Sequence, residues 1–515
     1  MLPLLSKVMS SSKRIVVNTI VGFVSQIIIL VMGLIIPRIM LQHYGADVHG
    51  LTGTVTQIVG YVALLEAGIG ASARNALFKP IKNNQQEDVS TILSVTRNYY
   101  RKVSIIYFFV ILALSFLLPF VLKSKINYWV IFSIIIFEGL SSLFNFLFVD
   151  TAVCFLTCIG KTYVINGIDL FGRILTYGLK ITLALLNVNI VFIQIAFFMA
   201  SVFKAILYNI YMKRKHPSIN YKCYDSSYRL PNRGSYVIIE VTWTVFSATD
   251  AILLSILVST VSASIYSIYN LIFITLNGVI TAIYNSIFYK LGEEYVKGID
   301  GYQKYHDVFT SFIMSITTIL ISVAFYLAIP FVKIYTSNIT DVNYIIPIYP
   351  LLFCIIPMLS WSRYVSSNLV CLAGYAKKVG IISIIEASIN IVSSVIFVHF
   401  FGAVGVLFGT IISLPLKVVY CFIMSERVIL KRNIVKPLLI LLVNYLIFGA
   451  TVLINNFIYF DSLTILKFIL IGFILVITYS VVVFSLNILV NPHLFGSLIN
   501  WIRNIKNRFI HPKAD

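Results

Sequence analysis

Arg38, Glu66 and Arg74 stand inside two apolar runs, each long enough to cross a bilayer. The runs read NTIVGFVSQIIILVMGLIIPRIML and LTGTVTQIVGYVALLEAGIGASARNALF, divided by a polar break over 42–50. A span needs about 20 residues at about 1.5 Å of rise each. An ionised group inside one costs at least a few kcal/mol, so it normally faces protein or a water-filled cavity. Arginine also supplies forked, permanently charged donors that fit phosphate oxygens. Neither Arg38 nor Arg74 has an opposite charge three or four residues away on its own helix. Arg38 falls near the outer end of the first run and Arg74 near the inner end of the second, so together they could hold an anionic headgroup at successive depths. The same places also suit arginines that merely meet the lipid headgroups of each leaflet.

Acids occupy the spans too. Glu66 and Asp250 fall mid-span, and Glu240 lies in the same expected span as Asp250. Such carboxyls are candidates for coupling to H+ or Na+ or for gating, because burial favours a bound proton or cation; a fixed ion pair is the alternative. Two hairpins carry a further pattern. Asp150 precedes the turn at Gly160 and Arg173 follows it; Arg363 precedes the turn at Gly374 and Glu386 follows it. All four fall about 15–20 Å from their turns, near mid-bilayer. Two buried pairs, Asp150–Arg173 and Arg363–Glu386, are the simplest expectation, with Asp169 competing for Arg173. The alternative is that Arg173 and Arg363 bind a diphosphate alongside Arg38 and Arg74. Lys180 and Lys204, near span ends, read as snorkelling side chains.

These residues need long helices to carry them, and the composition supplies little else. The 515 residues are 59% hydrophobic and 11% charged, with a mean hydropathy of +0.94. A soluble domain is about 25% charged, so the chain reads as an all-α polytopic membrane protein. Net charge is +20, but the Lys and Arg residues gather in alternate loops rather than on a basic, aromatic-laced stripe. That distribution orients a membrane protein and argues against nucleic acid. The six cysteines lie mostly in apolar runs and give no disulfide or metal spacing. No P-loop, HExxH or Ser/His/Asp grouping stands out, and no soluble domain could house one, so an enzyme is not expected.

About fourteen spans can be counted. Residues 1–212 form a first six-helix bundle, 213–233 a linker rich in basic and turn residues, and 234–432 a second bundle. Two extra spans fill 433–490, and a basic tail follows over 491–515. Loop charge places both termini, the linker and the tail in the cytoplasm. The halves are copies: CFLTCIGKTYVINGIDLFGRIL around Gly160 and NLVCLAGYAKKVGIISIIEASI around Gly374 lie 214 residues apart. Copies of six spans share one orientation, as in transporters built from parallel repeats.

Several motifs carry a resemblance across the whole chain. They are the N-terminal NT-x-x-G-F, Pro37–Arg38, HYGADVHGL, LLEAGIGASARN, and the turns at Gly160–Lys161 and Gly374–Lys378. In these the chain resembles Wzx-type polysaccharide flippases of the multidrug/oligosaccharidyl-lipid/polysaccharide exporter superfamily. The resemblance implies a MATE-like V of two six-helix bundles, with a cavity lined by spans one, two, seven and eight. It also implies movement of an undecaprenyl-diphosphate-linked oligosaccharide to the outer leaflet by alternating access. No resident cofactor is implied; membrane lipid, the lipid-linked oligosaccharide and other polysaccharide-assembly proteins are the expected partners. A multidrug or organic-cation antiporter of the same fold is the alternative, and it would favour acids over arginines in its cavity.

Overall fold

Hydrocarbon offers no partner for a backbone N–H or C=O, so a chain this apolar must close its hydrogen bonds within each segment. A computed structural model describes residues 11–66, 69–221, 249–455, 463–494 and 496. Glu240, most of the 213–233 linker and nearly all of the basic tail lie outside the described residues. Among the described residues the chain is helical throughout, and nine segments are long and apolar enough to cross a membrane. This is a multi-pass membrane protein. Nine segments are fewer than the expected spans for three visible reasons. The segment Val31–Glu66 begins partway along the first expected span and continues into the second, and Tyr349–Ile429 takes in three expected spans across the turns at Gly374 and Gly402. The expected span over 235–258 is described only in part, and the helix over 162–185, with Asp169, Arg173 and Lys180, is not among the nine.

The helices fall into two compact units, Met1–Ser264 and Ile265–Asp515. In the first, α1 (Ser11–Ala63) bends at Gly45, whose φ of 75° no helical residue adopts. A short turn, Leu64–Glu66, leads to α2 (Ile69–Lys82), α3 (Gln86–Val121), α4 (Tyr128–Phe148), α5 (Asp150–Cys158), α6 (Thr162–Leu185) and α7 (Ile190–Lys215). After the undescribed linker come α8 (Thr249–Val258) and the start of α9 (Thr260–Lys297). The Asp47 carboxylate ties three of these pieces together. It accepts from the Ser124 hydroxyl at 3.0 Å, from the Lys125 backbone N–H at 2.9 Å and from the Thr260 hydroxyl. Gly50 lets α1 lie against Thr260, since a Cβ there would fall 1.8 Å from the Thr260 carbonyl oxygen.

The second unit holds the rest of α9, then α10 (Ile299–Tyr335), α11 (Tyr349–Ser362), α12 (Tyr364–Val370), α13 (Ala376–Phe401), α14 (Gly405–Ile423), α15 (Val435–Ile454) and α16 (Ile465–Val490). Here α10 serves as a polar spine. Its Thr318 hydroxyl donates to Asn444 Oδ1 at 2.9 Å, and Asn444 Nδ2 donates to Asn487 Oδ1 at 3.0 Å. Tyr326 donates to the Thr451 carbonyl at 3.0 Å, and Asn491 to Ser311 Oγ at 3.1 Å. These bonds fasten α15 and α16 to α10 with side-chain hydrogen bonds, which in membranes contribute about 0.6–2 kcal/mol each.

The internal duplication is written in the backbone. Positive φ occurs at Asn84 and Gly298, at Gly160 and Gly374, and at Asn187 and Gly402. The members of each couple lie 214, 214 and 215 residues apart. Helix breaks at Val149, between α4 and α5, and at Arg363, between α11 and α12, are likewise 214 apart. Only glycine, and to a lesser degree asparagine, takes such φ values at low cost.

Close approach of α13 and α14 gives a first expected outcome. A Cβ on Gly409 would meet Ser394 Oγ at 2.2 Å and the Ser394 backbone nitrogen at 2.6 Å. Gly409→Ala must therefore push two helices apart, costing about 1–3 kcal/mol. Gly449→Ala meets nothing within 4 Å and serves as the control. Thermal melting in detergent should show a fall for the first and near-identity for the second.

Candidate functional site

In the first unit, α2, α3 and α5 bring several of the expected residues together. Glu66 closes the turn that ends α1, and Arg74 lies along α2. The point where a Cβ on Gly70 would sit is 3.2 Å from the Tyr100 hydroxyl, 3.3 Å from Arg74 Nη1 and 3.7 Å from Cys154 Sγ. Gly70 thus leaves room for a cation, a phenol and a thiol to converge between three helices. The thiols of Cys154 and Cys158 lie 3.7 Å from the Gly70 carbonyl and 3.5 Å from the Arg74 carbonyl, locking α5 onto α2. Glu66 and Asp150 lie within electrostatic reach of Tyr100. Among the described residues Arg74 forms no ion pair within 4 Å. Arg38 is half-buried on α1, one residue after Pro37. Asp250 is buried on α8, beside the Thr249 hydroxyl that meets Tyr61.

In the second unit, Arg363 and Glu386 meet. Arg363 sits at the break between α11 and α12 and is 8% exposed; Glu386 on α13 is 3% exposed. Arg363 Nη1 bonds Glu386 Oε1, while Lys417 Nζ of α14 stands 3.9 Å from the other carboxylate oxygen. Three helices are joined by one buried acid and two cations.

The first unit does not bring Asp150 and Arg173 together. Arg173 is exposed on α6 and has no ion pair among the described residues. Asp169, one turn earlier, points to α7 instead, where Lys204 Nζ is 3.7 Å away and the Tyr208 hydroxyl donates at 3.1 Å. Lys204 and Lys417 are 213 residues apart, and each holds an acid of the preceding helix. That lysine–acid arrangement, rather than the expected Asp150–Arg173 contact, is what the two hairpins have in common. The repeat spacing was the signal that could have found it. Glu138 accepts from the Thr56 hydroxyl at 3.1 Å, which joins α4 to α1.

Sequence reasoning also passed over a charged cluster at one end of the second unit. Arg432 donates to Glu426 Oε2 and to Asp307 Oδ1, both at 2.6 Å, and Lys436 stands 3.1 Å from Asp307 Oδ2. Burial works against the charge on Arg432, but the two carboxylates more than offset it and raise its pKa. Loop charge alone made Arg432 look like an orientation signal. Among the described residues no three His, Cys, Asp or Glu side chains gather as a metal site.

No protein-family model matches the chain, and no curated protein matches it in sequence. Solved structures do match its fold. Lipid II flippase MurJ, in an inward closed conformation, aligns with a TM-score of 0.64 at 14% identity over 91% of this chain and 99% of the other. An inward-facing multidrug resistance MATE family transporter of the MOP superfamily aligns with 0.59 at 13% identity, covering 76% of this chain and 93% of its own. The MATE multidrug transporter DinF-BH gives 0.54 at 16% identity, with 82% and 98% covered. The chain has the fold these transporters share.

The buried cluster on α13 yields a second expected outcome. Arg363→Gln leaves Glu386 buried with only the more distant Lys417, and removing one partner of such a pair costs about 3–5 kcal/mol. The variant should accumulate poorly in membranes. Arg363→Met with Glu386→Leu and Lys417→Met, which removes all three charges, should recover much of the abundance, whereas Arg173→Gln should leave it unchanged. Immunoblots of membrane fractions decide the matter, and poor recovery of the triple variant would count against a structural cluster.

Proposed function

We propose that the protein is a flippase that carries a polyprenyl-diphosphate-linked oligosaccharide from the inner to the outer leaflet of a bacterial plasma membrane, by alternating access, for polysaccharide assembly. The observation that carries this reading is the extent of the fold match. A lipid II flippase covers 91% of the chain, whereas the MATE transporters cover 76% and 82%. A lipid-linked substrate brings a diphosphate, and the chain offers intramembrane arginines. Arg74, half-buried beside Tyr100 and without an ion pair among the described residues, suits that task. Arg38 would take the headgroup at a second depth. Arg363, engaged by Glu386, is less available than it looked from its position alone.

On this reading the chain crosses the membrane fourteen times with both termini in the cytoplasm. Glu66 and Asp250 are then the candidates for coupling to H+ or Na+, and no covalent chemistry is needed. A multidrug antiporter is the second reading, favoured by the MATE matches.

Deleting the gene should make a lipid-linked glycan accumulate in the inner leaflet, identified by mass spectrometry of extracted lipids. Drug hypersensitivity without such a glycan would favour the antiporter. Arg38→Gln and Arg74→Gln should each cut export at normal protein abundance, by about tenfold or more if a charge-assisted bond to phosphate is lost. Lysine at the same positions should restore part of it, as a point charge without the fork. Full export in the double Gln variant would exclude both from the substrate path.

Orientation is tested separately. In a cysteine-free background, Ser262→Cys, at the start of α9, should react with an impermeant maleimide in intact cells. Cys223, restored alone, should react only after permeabilisation. The reverse pattern would invert the direction of transport.

A further inference from the structure

A small cleft with a cavity volume of about 20 Å³ opens in the first unit where α3, the α4–α5 break, α7 and Tyr221 come together. It is lined by Arg97, Phe148, Thr151, Met212 and Tyr221 among others. None of the substrate candidates Arg38, Arg74, Arg173 and Arg363 lines it.

Two side chains in this cleft lack what their chemistry requires. Arg97 is partly buried, with its guanidinium carbon 4.8 Å from the centre of the Tyr221 ring. Among the described residues it forms no ion pair within 4 Å. Its nearest charged neighbour along α3 is Arg101, one turn on and of like charge, while the acids Glu87 and Asp88 lie more than two turns back. A half-desolvated cation beside a second cation calls for an anion. The other side chain is Thr151, 6% exposed, whose hydroxyl has no hydrogen-bond partner among the described residues. A threonine inside a helix often returns its proton to the carbonyl four residues earlier. Here the helix is broken at Val149, and that route is not taken. A buried hydroxyl left in this state is destabilising unless something supplies it a partner.

The walls indicate what kind of anion would fit. Phe148 lines the cleft and is 38% exposed, so an apolar ring stands at its edge. Lys213, Arg214 and Lys215, all exposed, follow Met212 in the last turn of α7. A ligand at this place meets one arginine, one hydroxyl, an exposed aromatic ring and a nearby basic segment. We propose that the cleft binds the phosphate of an anionic phospholipid, held by Arg97 over the Tyr221 ring and by the Thr151 hydroxyl. The lipid is a resident of the fold and not its cargo, so this site stands whether the cargo is a glycolipid or a drug.

The test uses the full-length protein purified in a neutral detergent. Dioleoylphosphatidylglycerol should raise its melting temperature and be retained in native mass spectra, whereas dioleoylphosphatidylcholine should do neither. Arg97→Gln should weaken phosphatidylglycerol binding by about tenfold or more, as expected for a lost charge-assisted hydrogen bond, and Arg97→Lys by less. Equal effects of the two lipids, or an unchanged response in Arg97→Gln, would overturn the site. Stabilisation by inorganic phosphate alone, to the same extent, would overturn the lipid as its source. Because Arg97→Gln could fail to fold, a photoactivatable phosphatidylglycerol is also applied to the unmutated protein. It should label peptides spanning 97–102 and 208–221, and labelling confined to other helices rejects the proposal.

Discussion

A charge placed among acyl chains has nothing to answer it except another part of the protein or a passing ligand, and the described charges are distributed accordingly. The acids Asp169 and Glu386 are held by lysines from a neighbouring helix, and Glu386 by an arginine as well. Glu138 accepts a hydrogen bond from the Thr56 hydroxyl. Arginines are treated differently. Arg363 is committed to Glu386, while Arg74 and Arg97 form no ion pair among the described residues. These three acids thus find their partners inside the protein, and under the proposed function part of the cationic capacity is left for anions from outside.

The same solvent explains how the helices are held. Apolar contact between helices gains little over apolar contact with lipid, so packing depends on close approach and on hydrogen bonds. Gly405 and Gly409 let α14 settle on Phe397 and Ser394 of α13. The Thr318–Asn444–Asn487 chain then does for α15 and α16 what burial of leucines would do in water. The proposed phosphate recognition and the helix docking would draw on one resource, polar groups that the membrane cannot satisfy.

Much of this was legible from residue types and spacing. Apolar runs gave the class and most of the helices, and the 214-residue repeat is matched by dihedral angles at three pairs of turns. Counting residues from Gly374 correctly placed Arg363 and Glu386 at a common depth. Depth is not direction, however. A helix turns about 100° per residue, so a shift of one position moves a side chain to another face. In the register of 214, Arg363 corresponds to Val149 and Glu386 to Gly172, and so neither Asp150 nor Arg173 inherits the pair. The Arg432 cluster was out of reach for a different reason, since its partners come from positions 307, 426 and 436, which no periodicity links.

The turn couples carry a historical meaning as well. At two of the three, the first copy has asparagine where the second has glycine, at Asn84 and Gly298 and at Asn187 and Gly402. Both residues reach positive φ, by different means: one lacks a side chain, and the other has a short polar one that bonds locally. After the ancestral gene doubled, drift could exchange one for the other while φ stayed positive, even though the angle itself moved from 56° at Asn84 to 139° at Gly298. What the two copies inherited in common is the place of each turn more than its letter. An ancestor reconstructed for this fold would be recovered more faithfully from its bends than from its alphabet.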